Sequence, residues 1–217
     1  MSTQNLSIHA IRQDYTKSSL NETQIDAQPL RQFVKWFEEA LRSEVMEPNA
    51  MTLSTVSFEG QPSSRIVLLK EVDEVGFHFF TNYNSRKGNE LMENPKVSLL
   101  FFWPELQRQV RIEGVVQKLP KEASDRYFHS RPKESRLGAI ASPQSQVIEG
   151  RDVLEQNMEA LQQTYIDTNL VPRPTHWGGY LVVPHTIEFW QGRSNRLHDR
   201  LRYQIEAGAW TIQRLAP

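Results

Sequence analysis

The densest chemistry in this chain lies in FWQGRSNRLHDR, residues 189–200, where Arg193, Arg196 and Arg200 surround His198 and Asp199 directly after Phe189 and Trp190. That much charge does not belong in a core, and beside two aromatic rings it is oddly placed for an ordinary solvated turn. The stretch either grips an anion or forms a basic turn tied down by Asp199. Other cations carry the same ambiguity. Arg65 and Lys70 lie in RIVLLK, where a period of two puts Arg65 with Val67 and Leu69, and Lys70 with Ile66 and Leu68. A cation on so apolar a strand must reach solvent, a subunit partner or an anion, because an unpaired buried charge is costly. In TNYNSRKGNEL, Ser85 can cap a helix whose first turn holds Arg86 and Lys87. Cations are slightly unfavourable there unless the turn faces phosphate. Tyr127, Arg131 and Ser135 recur at intervals of four in YFHSRPKES, but Pro132 prevents one regular helix from carrying all three. A turn could gather them around one anion.

No glycine-rich dinucleotide fingerprint or Walker motif occurs, so side chains must supply the charge for any bound phosphate. His129, His176, His185 and His198 lie in different segments with no close ligand pair, which argues against a metal site. The chain has no cysteine, excluding thiolate catalysis and disulfides, and no serine stands in a hydrolase-type elbow. Several anion sites, an aromatic wall and no evident nucleophile point to a phosphorylated cofactor that carries the difficult electronic step.

Those residues need a frame. With 217 residues, 38% hydrophobic and 24% charged, the composition suits a soluble globular protein. A net charge of -1 provides no global field to draw in nucleic acid or an acidic membrane. The start, MSTQNLSIHA, lacks a basic segment leading into an apolar one, and no apolar run approaches membrane-spanning length. A cytoplasmic setting without nucleic-acid or membrane partners is expected.

Residues 1–27 read as a mobile polar arm carrying Arg12 and Tyr15, and residues 28–217 as a single domain. From Pro29 an apolar stripe of Leu30, Phe33, Val34, Phe37 and Leu41 predicts a helix. MTLSTVS, SSRIVLLK, GFHFFT, KVSLLFFW and QRQVRIEGVVQKL read as short strands separated by turns. Helices are expected over SRKGNELMEN, PKEASDRYFHS, ESRLGAIAS and residues 152–165, with late strands WGGYLVVP, IEFW and AWTIQRL. This mainly β pattern with inserted helices favours a barrel over a βαβ sheet.

In order along the chain, RIVLLK, FFTNYNSRKGNEL, NPKVSLLFFW, RQVRIEG, YFHSRPKES, PQSQ, HWGGY, IEFWQGRSNRLHDR and the terminal RLAP resemble the pyridoxine (pyridoxamine) 5'-phosphate oxidase family over nearly the whole length. The resemblance implies an FMN-binding split β-barrel that works as a homodimer, with FMN sites at the subunit interface completed by both chains. By position it implies FMN contacts from Arg65, Ile66, Val67, Leu68, Leu69, Lys70, Phe80, Thr81, Arg86, Lys87, Gln109, Gln144, Ser145, Trp190 and Arg200. Lys70, Tyr127, Arg131 and Ser135 would meet the substrate phosphate. Arg196, Leu197 and His198 would stand near the pyridine ring, with Arg196 and His198 as the catalytic pair, and Arg12 and Tyr15 would cover the occupied site. No metal is implied.

The chain departs from the commonest pattern at Phe80, where a tyrosine often stands, at Val110, where some relatives have serine, and at Pro143, where a lysine can stand. None of these removes a phosphate-binding arginine. The implied reaction oxidises pyridoxine 5'-phosphate and pyridoxamine 5'-phosphate with O2 to pyridoxal 5'-phosphate, releasing H2O2, and NH3 from the amine. The alternatives are a split-barrel FMN reductase with another acceptor and a non-catalytic flavin- or vitamer-binding protein.

Overall fold

The computed structural model describes residues 13–217. Arg12, one of the two expected covering residues, lies outside them. Among the described residues, five α-helices and nine strands follow in chain order: α1 (Pro29–Arg42), β1 (Ala50–Val56), β2 (Pro62–Leu68), β3 (Glu71–Val72), β4 (Phe77–Asn82), α2 (Arg86–Glu93), β5 (Lys96–Trp103), β6 (Arg108–Lys118), α3 (Lys121–Ser130), α4 (Lys133–Ala141), α5 (Arg151–Thr164), β7 (Trp177–Gln191), β8 (Asp199–Glu206) and β9 (Ala209–Arg214). Mainly antiparallel strands with helices inserted between them make this the fold class expected from the sequence. The chain divides into two compact units: residues up to 48 with 102–110 and 187–217 form one, and residues 49–101 with 111–186 the other.

In the first unit, α1 buries Pro29, Gln32, Phe33, Trp36 and Ala40, while Val34 and Leu41 of the expected stripe are exposed. The buried face is therefore turned by about one residue from the purely apolar reading. Trp36 is the reason. Its ring meets Phe189 edge-on at 5.1 Å and lies under the Arg108 guanidinium at 4.3 Å. Arg108 in turn donates to Glu39 at 2.5 Å and to Gln191 at 2.9 Å, so a buried cation is paired and hydrogen-bonded on this face. The carboxy-terminal hairpin pairs β8 with β9, Leu201 opposite Arg214, through a turn at Ala207 and Gly208 with φ of 51° and 84°. Strand β8 is missing from the sequence reading, although Leu201 and Tyr203 alternate inward within it. The segment before α1 is anchored here. Leu20 is buried and its N–H donates to Asp199, Arg214 forks onto Glu22 at 2.7 and 2.8 Å, and the Tyr203 hydroxyl donates to the Asp26 carbonyl.

Strands are hydrogen-bonded in the order β2-β1-β5-β6-β7-β4-β3, and β1 to β4 with most of β5, β6 and β7 belong to the second unit. Strand β2 pairs antiparallel with β1, Arg65 opposite Leu53, and β4 pairs with β7, Phe80 opposite Gly179. The alternation expected in RIVLLK is present: Ile66, Leu68 and Lys70 face outward, while Leu69 is buried. WGGYLVVP and IEFW, expected as two strands, are one strand of 15 residues that runs straight through Pro184. Proline removes one donor from a ladder without forbidding the extended backbone, so its presence need not end a strand.

Candidate functional site

Helices α3 and α4 build the site's cationic wall. Arg131 closes α3 in an extended conformation (φ -76°, ψ 149°), and Pro132 then opens α4. The break that Pro132 forces brings Tyr127 from α3, Arg131 from the junction and Ser135 from α4 to line one cavity of about 680 Å³, with Lys70 among the other residues that line it. A buried cluster of Phe128, Leu137, Val171 and Trp177 holds the two helices. Arg173 fixes this base by pairing with Asp125 at 2.5 Å and donating to the Trp177 carbonyl.

Aromatic rings line the same wall. Phe80 stacks on Tyr127 at 3.9 Å and on Trp177 at 5.6 Å. Gly179, opposite Phe80 in the ladder, leaves room for that ring, since a Cβ there would come within 2.7 Å of it. The Arg131 guanidinium lies 4.8 Å above the Trp177 ring, and its Nη1 is buried without a hydrogen-bond partner. Burial holds the Arg131 pKa below its usual value, with neighbouring Arg136 acting in the same direction against Tyr127. A half-buried cation with one stranded donor lacks its counter-charge; a phosphate oxygen would supply it.

A second polar group lines the same cavity. Lys87 Nζ donates to Gln144 Oε1 at 3.2 Å and to Thr81 Oγ1 at 3.4 Å, and the Thr81 hydroxyl donates to the same Gln144 oxygen. Burial, reinforced by the nearby Arg65 charge and partly offset by Glu90, lowers the Lys87 pKa. Lys87 follows the expected cap, with Ser85 Oγ accepting from the Gly88 N–H at 3.2 Å. Ile66, Val67 and Leu68 complete an apolar border. The cavity therefore offers two cationic groups and stacked rings, a donor set that fits a flavin phosphate and a substrate phosphate.

Other expected residues of this unit stand apart from the cavity lining. Leu69 is buried, and Ser145 takes a left-handed φ of 72°. Arg65 turns inward to Glu90 at 3.1 Å, and Arg86 also pairs with Glu90, at 2.8 Å. Sequence reasoning missed Glu90. Its signal was the spacing of four from Arg86 in RKGNE; the link to Arg65 has no local trace.

The first unit holds the remaining expected residues. Tyr15, Arg196 and His198 line a cavity of about 670 Å³ with Gln13, Asp14, Arg193 and Asn195. Trp190 lies 4.7 Å from His198 and meets Tyr15 edge-on at 5.8 Å. The Arg193 backbone N–H donates to His198 Nδ1 at 3.1 Å. Because a backbone amide can only donate, Nδ1 keeps its lone pair and neutral His198 carries its proton on Nε2. Burial, and then the Arg196 charge, lower the His198 pKa and favour that neutral form. Arg193 and Arg214 both pair with Asp199, at 2.9 and 2.8 Å, so Asp199 does tie down the basic stretch. Arg200 forks onto Glu188 at 2.8 and 3.1 Å. Gln109 is half-buried on β6, and Leu197 is 70% exposed.

Comparison with known proteins finds relatives over nearly the whole length. Residues 37–165 match the family model described as pyridoxamine 5'-phosphate oxidase, and residues 177–217 match the pyridoxine 5'-phosphate oxidase C-terminal dimerisation region. The chain is 59% identical over 212 residues to a pyridoxine/pyridoxamine 5'-phosphate oxidase of a Cyanothece species, covering 98% of this chain and 99% of that one. It is 57% identical to the corresponding Ralstonia pickettii protein, covering 97% and 99%. Among solved structures, PhzG from Burkholderia lata, in complex with tetrahydrophenazine-1-carboxylic acid, is 32% identical with a TM-score of 0.85, covering 90% of this chain and 95% of that one. The fold is thus the split β-barrel, and the chain belongs to the pyridoxamine 5'-phosphate oxidase family of flavoprotein oxidoreductases.

Proposed function

We propose that this chain is an FMN-dependent oxidase that converts pyridoxine 5'-phosphate and pyridoxamine 5'-phosphate to pyridoxal 5'-phosphate. O2 is reduced to H2O2, and the amine also yields NH3. The observation that carries this reading is the single cavity lined both by Lys70, Tyr127, Arg131 and Ser135 and by Thr81, Lys87 and Gln144. Two separated polar groups suit two phosphates, and the stacked rings between Phe80 and Trp177 suit planar ligands. We assign the first group to the substrate phosphate. The second, with Arg65–Lys70, Phe80, Arg86 and Ser145, is assigned to the flavin.

When bound, FMN would supply the two-electron acceptor for oxidation at C4', with oxygen as the final acceptor. The protein's part is placement. Lys70, Arg131, Tyr127 and Ser135 hold the far end of the substrate, so that phosphate binding energy fixes the position of C4'. Arg196 lies beside the C4' substituent and stabilises developing negative charge. His198, held with Nε2 as its proton-bearing atom, donates a hydrogen bond to the ring. Leu197, Tyr15 and Arg12 border and cover the substrate, while Gln109, Trp190 and Arg200 contribute to the flavin site. Residues 28–217 act as one domain, two chains form a homodimer, and each site is completed by both.

An anaerobic titration with each vitamer, followed at the flavin absorbance and then opened to air, tests the proposal. Bleaching on substrate and recovery with stoichiometric H2O2 in air are expected. Flavin that stays yellow with both vitamers refutes an oxidase. Bleaching without peroxide on reopening points instead to a reductase with another acceptor.

A further inference from the structure

Glu90 is 4% exposed, and its carboxylate receives three donors. Oε2 accepts from the Thr55 hydroxyl at 2.5 Å and from Arg65 Nη2 at 3.1 Å, while Oε1 accepts from Arg86 Nε at 2.8 Å. Burial alone would raise its pKa, but the bonds from Thr55, Arg86 and Arg65 outweigh that and keep it ionised. The two arginines are used very differently. Both terminal nitrogens of Arg65 are engaged, Nη1 by the Leu53 carbonyl and Thr55, Nη2 by Ser63 and Glu90. Arg86 offers only Nε to the protein. Its side chain is 59% exposed, and its two terminal nitrogens have no partner among the described residues.

The Arg86–Glu90 pair does little for α2 itself. Arginine before glutamate is the weaker order for a pair four apart, and a cation in the first turn opposes the helix dipole. One buried negative charge against two arginines also leaves a net positive cluster, beside Lys87. We propose that Glu90 is a positioning residue for phosphate recognition: it locks Arg65 inward as support and turns the free fork of Arg86 outward toward a phosphate monoester. This rests on the function proposed above, in which that monoester is the FMN phosphate, and it makes Glu90 a determinant of the preference for FMN over the same ring system without phosphate.

The test measures equilibrium dissociation constants of FMN and of riboflavin for the full-length chain stripped of flavin, by flavin fluorescence quenching. Glu90→Ala strands Arg65 and can unfold the chain, so Glu90→Gln, which keeps the volume, and Thr55→Val, which removes one donor to the carboxylate, are the reporters. Loss of one oriented, charge-assisted contact corresponds to roughly tenfold or more. FMN affinity should fall about that much in Glu90→Gln and in the same direction in Thr55→Val, with riboflavin affinity unchanged within about twofold. Unchanged or tighter FMN binding overturns the proposal and leaves Glu90 as mere charge compensation; equal weakening of both flavins overturns it in favour of a purely structural role. A wild-type chain that binds FMN no better than riboflavin sinks the function reading itself, and this inference with it.

Discussion

Arg131→Met removes a cation that the folded chain does not neutralise. The guanidinium lies over Trp177 at 4.8 Å with Nη1 buried and unpaired. A stranded buried donor costs about 1–3 kcal/mol, whereas the lost cation–π contact is worth about 0.5–2 kcal/mol. Methionine fills similar volume without either effect, so stability of the ligand-free chain should stay level or rise by about 1 kcal/mol, a shift of roughly 2–4 °C in Tm. Binding of a phosphorylated substrate changes in the opposite direction. Two charge-assisted bonds at about 1.5–3 kcal/mol each imply a loss of roughly 10²–10⁴ in kcat/KM. The assay pairs thermal melting with flavin bleaching by pyridoxamine 5'-phosphate and by unphosphorylated pyridoxamine. The ratio of the two kcat/KM values should collapse toward one. A variant that melts more than about 8 °C lower, or that loses both substrates equally, would show that Arg131 is a structural residue and refute the stranded-donor argument.

Arg196→Ala should reduce turnover far more than FMN retention; equal losses would remove its assigned place beside C4'. The same variant takes away a charge that lowers the His198 pKa, so an NMR titration should find His198 protonating at higher pH than in wild type. His198→Gln, which sets an amide donor near the Nε2 position, should keep more activity than His198→Ala, and the reverse order would argue for proton abstraction by the imidazole. Asp125 is held at about 2, from an ordinary 3.8, by hydrogen bonds from Lys121 and Arg173. A folded-state pKa below the unfolded one stabilises the chain above the unfolded value and is lost as pH falls through the folded one. Asp125→Asn should therefore flatten the decline in urea stability between about pH 4 and pH 2; an unaltered decline would show that other carboxylates govern it.

Local pattern accounts for what the sequence made readable. Helix α2 with its Ser85 cap, strands β1, β2, β4, β5 and β6 and the break at Pro132 all follow from spacing and turn chemistry within a few residues, whereas the two-residue β3 left no pattern to read. The face of α1 was legible only in part, because Trp36 is buried against a partner distant in sequence, Phe189, and the polar Gln32 is buried because its side chain accepts the Asp26 N–H just before the helix. Pro184 looked like a strand end because a missing donor is visible in sequence while the pairing that tolerates it is not. Strand β8 was hidden by the charged run that enters it. For the candidate site, residue types and their grouping were readable, but the state of each cation was not. Arg65 and Arg86 look equivalent in sequence, yet one is saturated by Glu90, Thr55 and Ser63 and the other keeps its fork free.

The proline between α3 and α4 also sets a length scale. Along an uninterrupted helix, side chains at positions 127, 131 and 135 would be strung over about 12 Å, much farther apart than the oxygens of one phosphoryl group. Breaking the helix at the middle member converts a row into a cup. Periodicity alone would have produced a ribbon of side chains; a single rigid imino acid lets the same three line one cavity, a shape that suits the compact phosphate proposed for it.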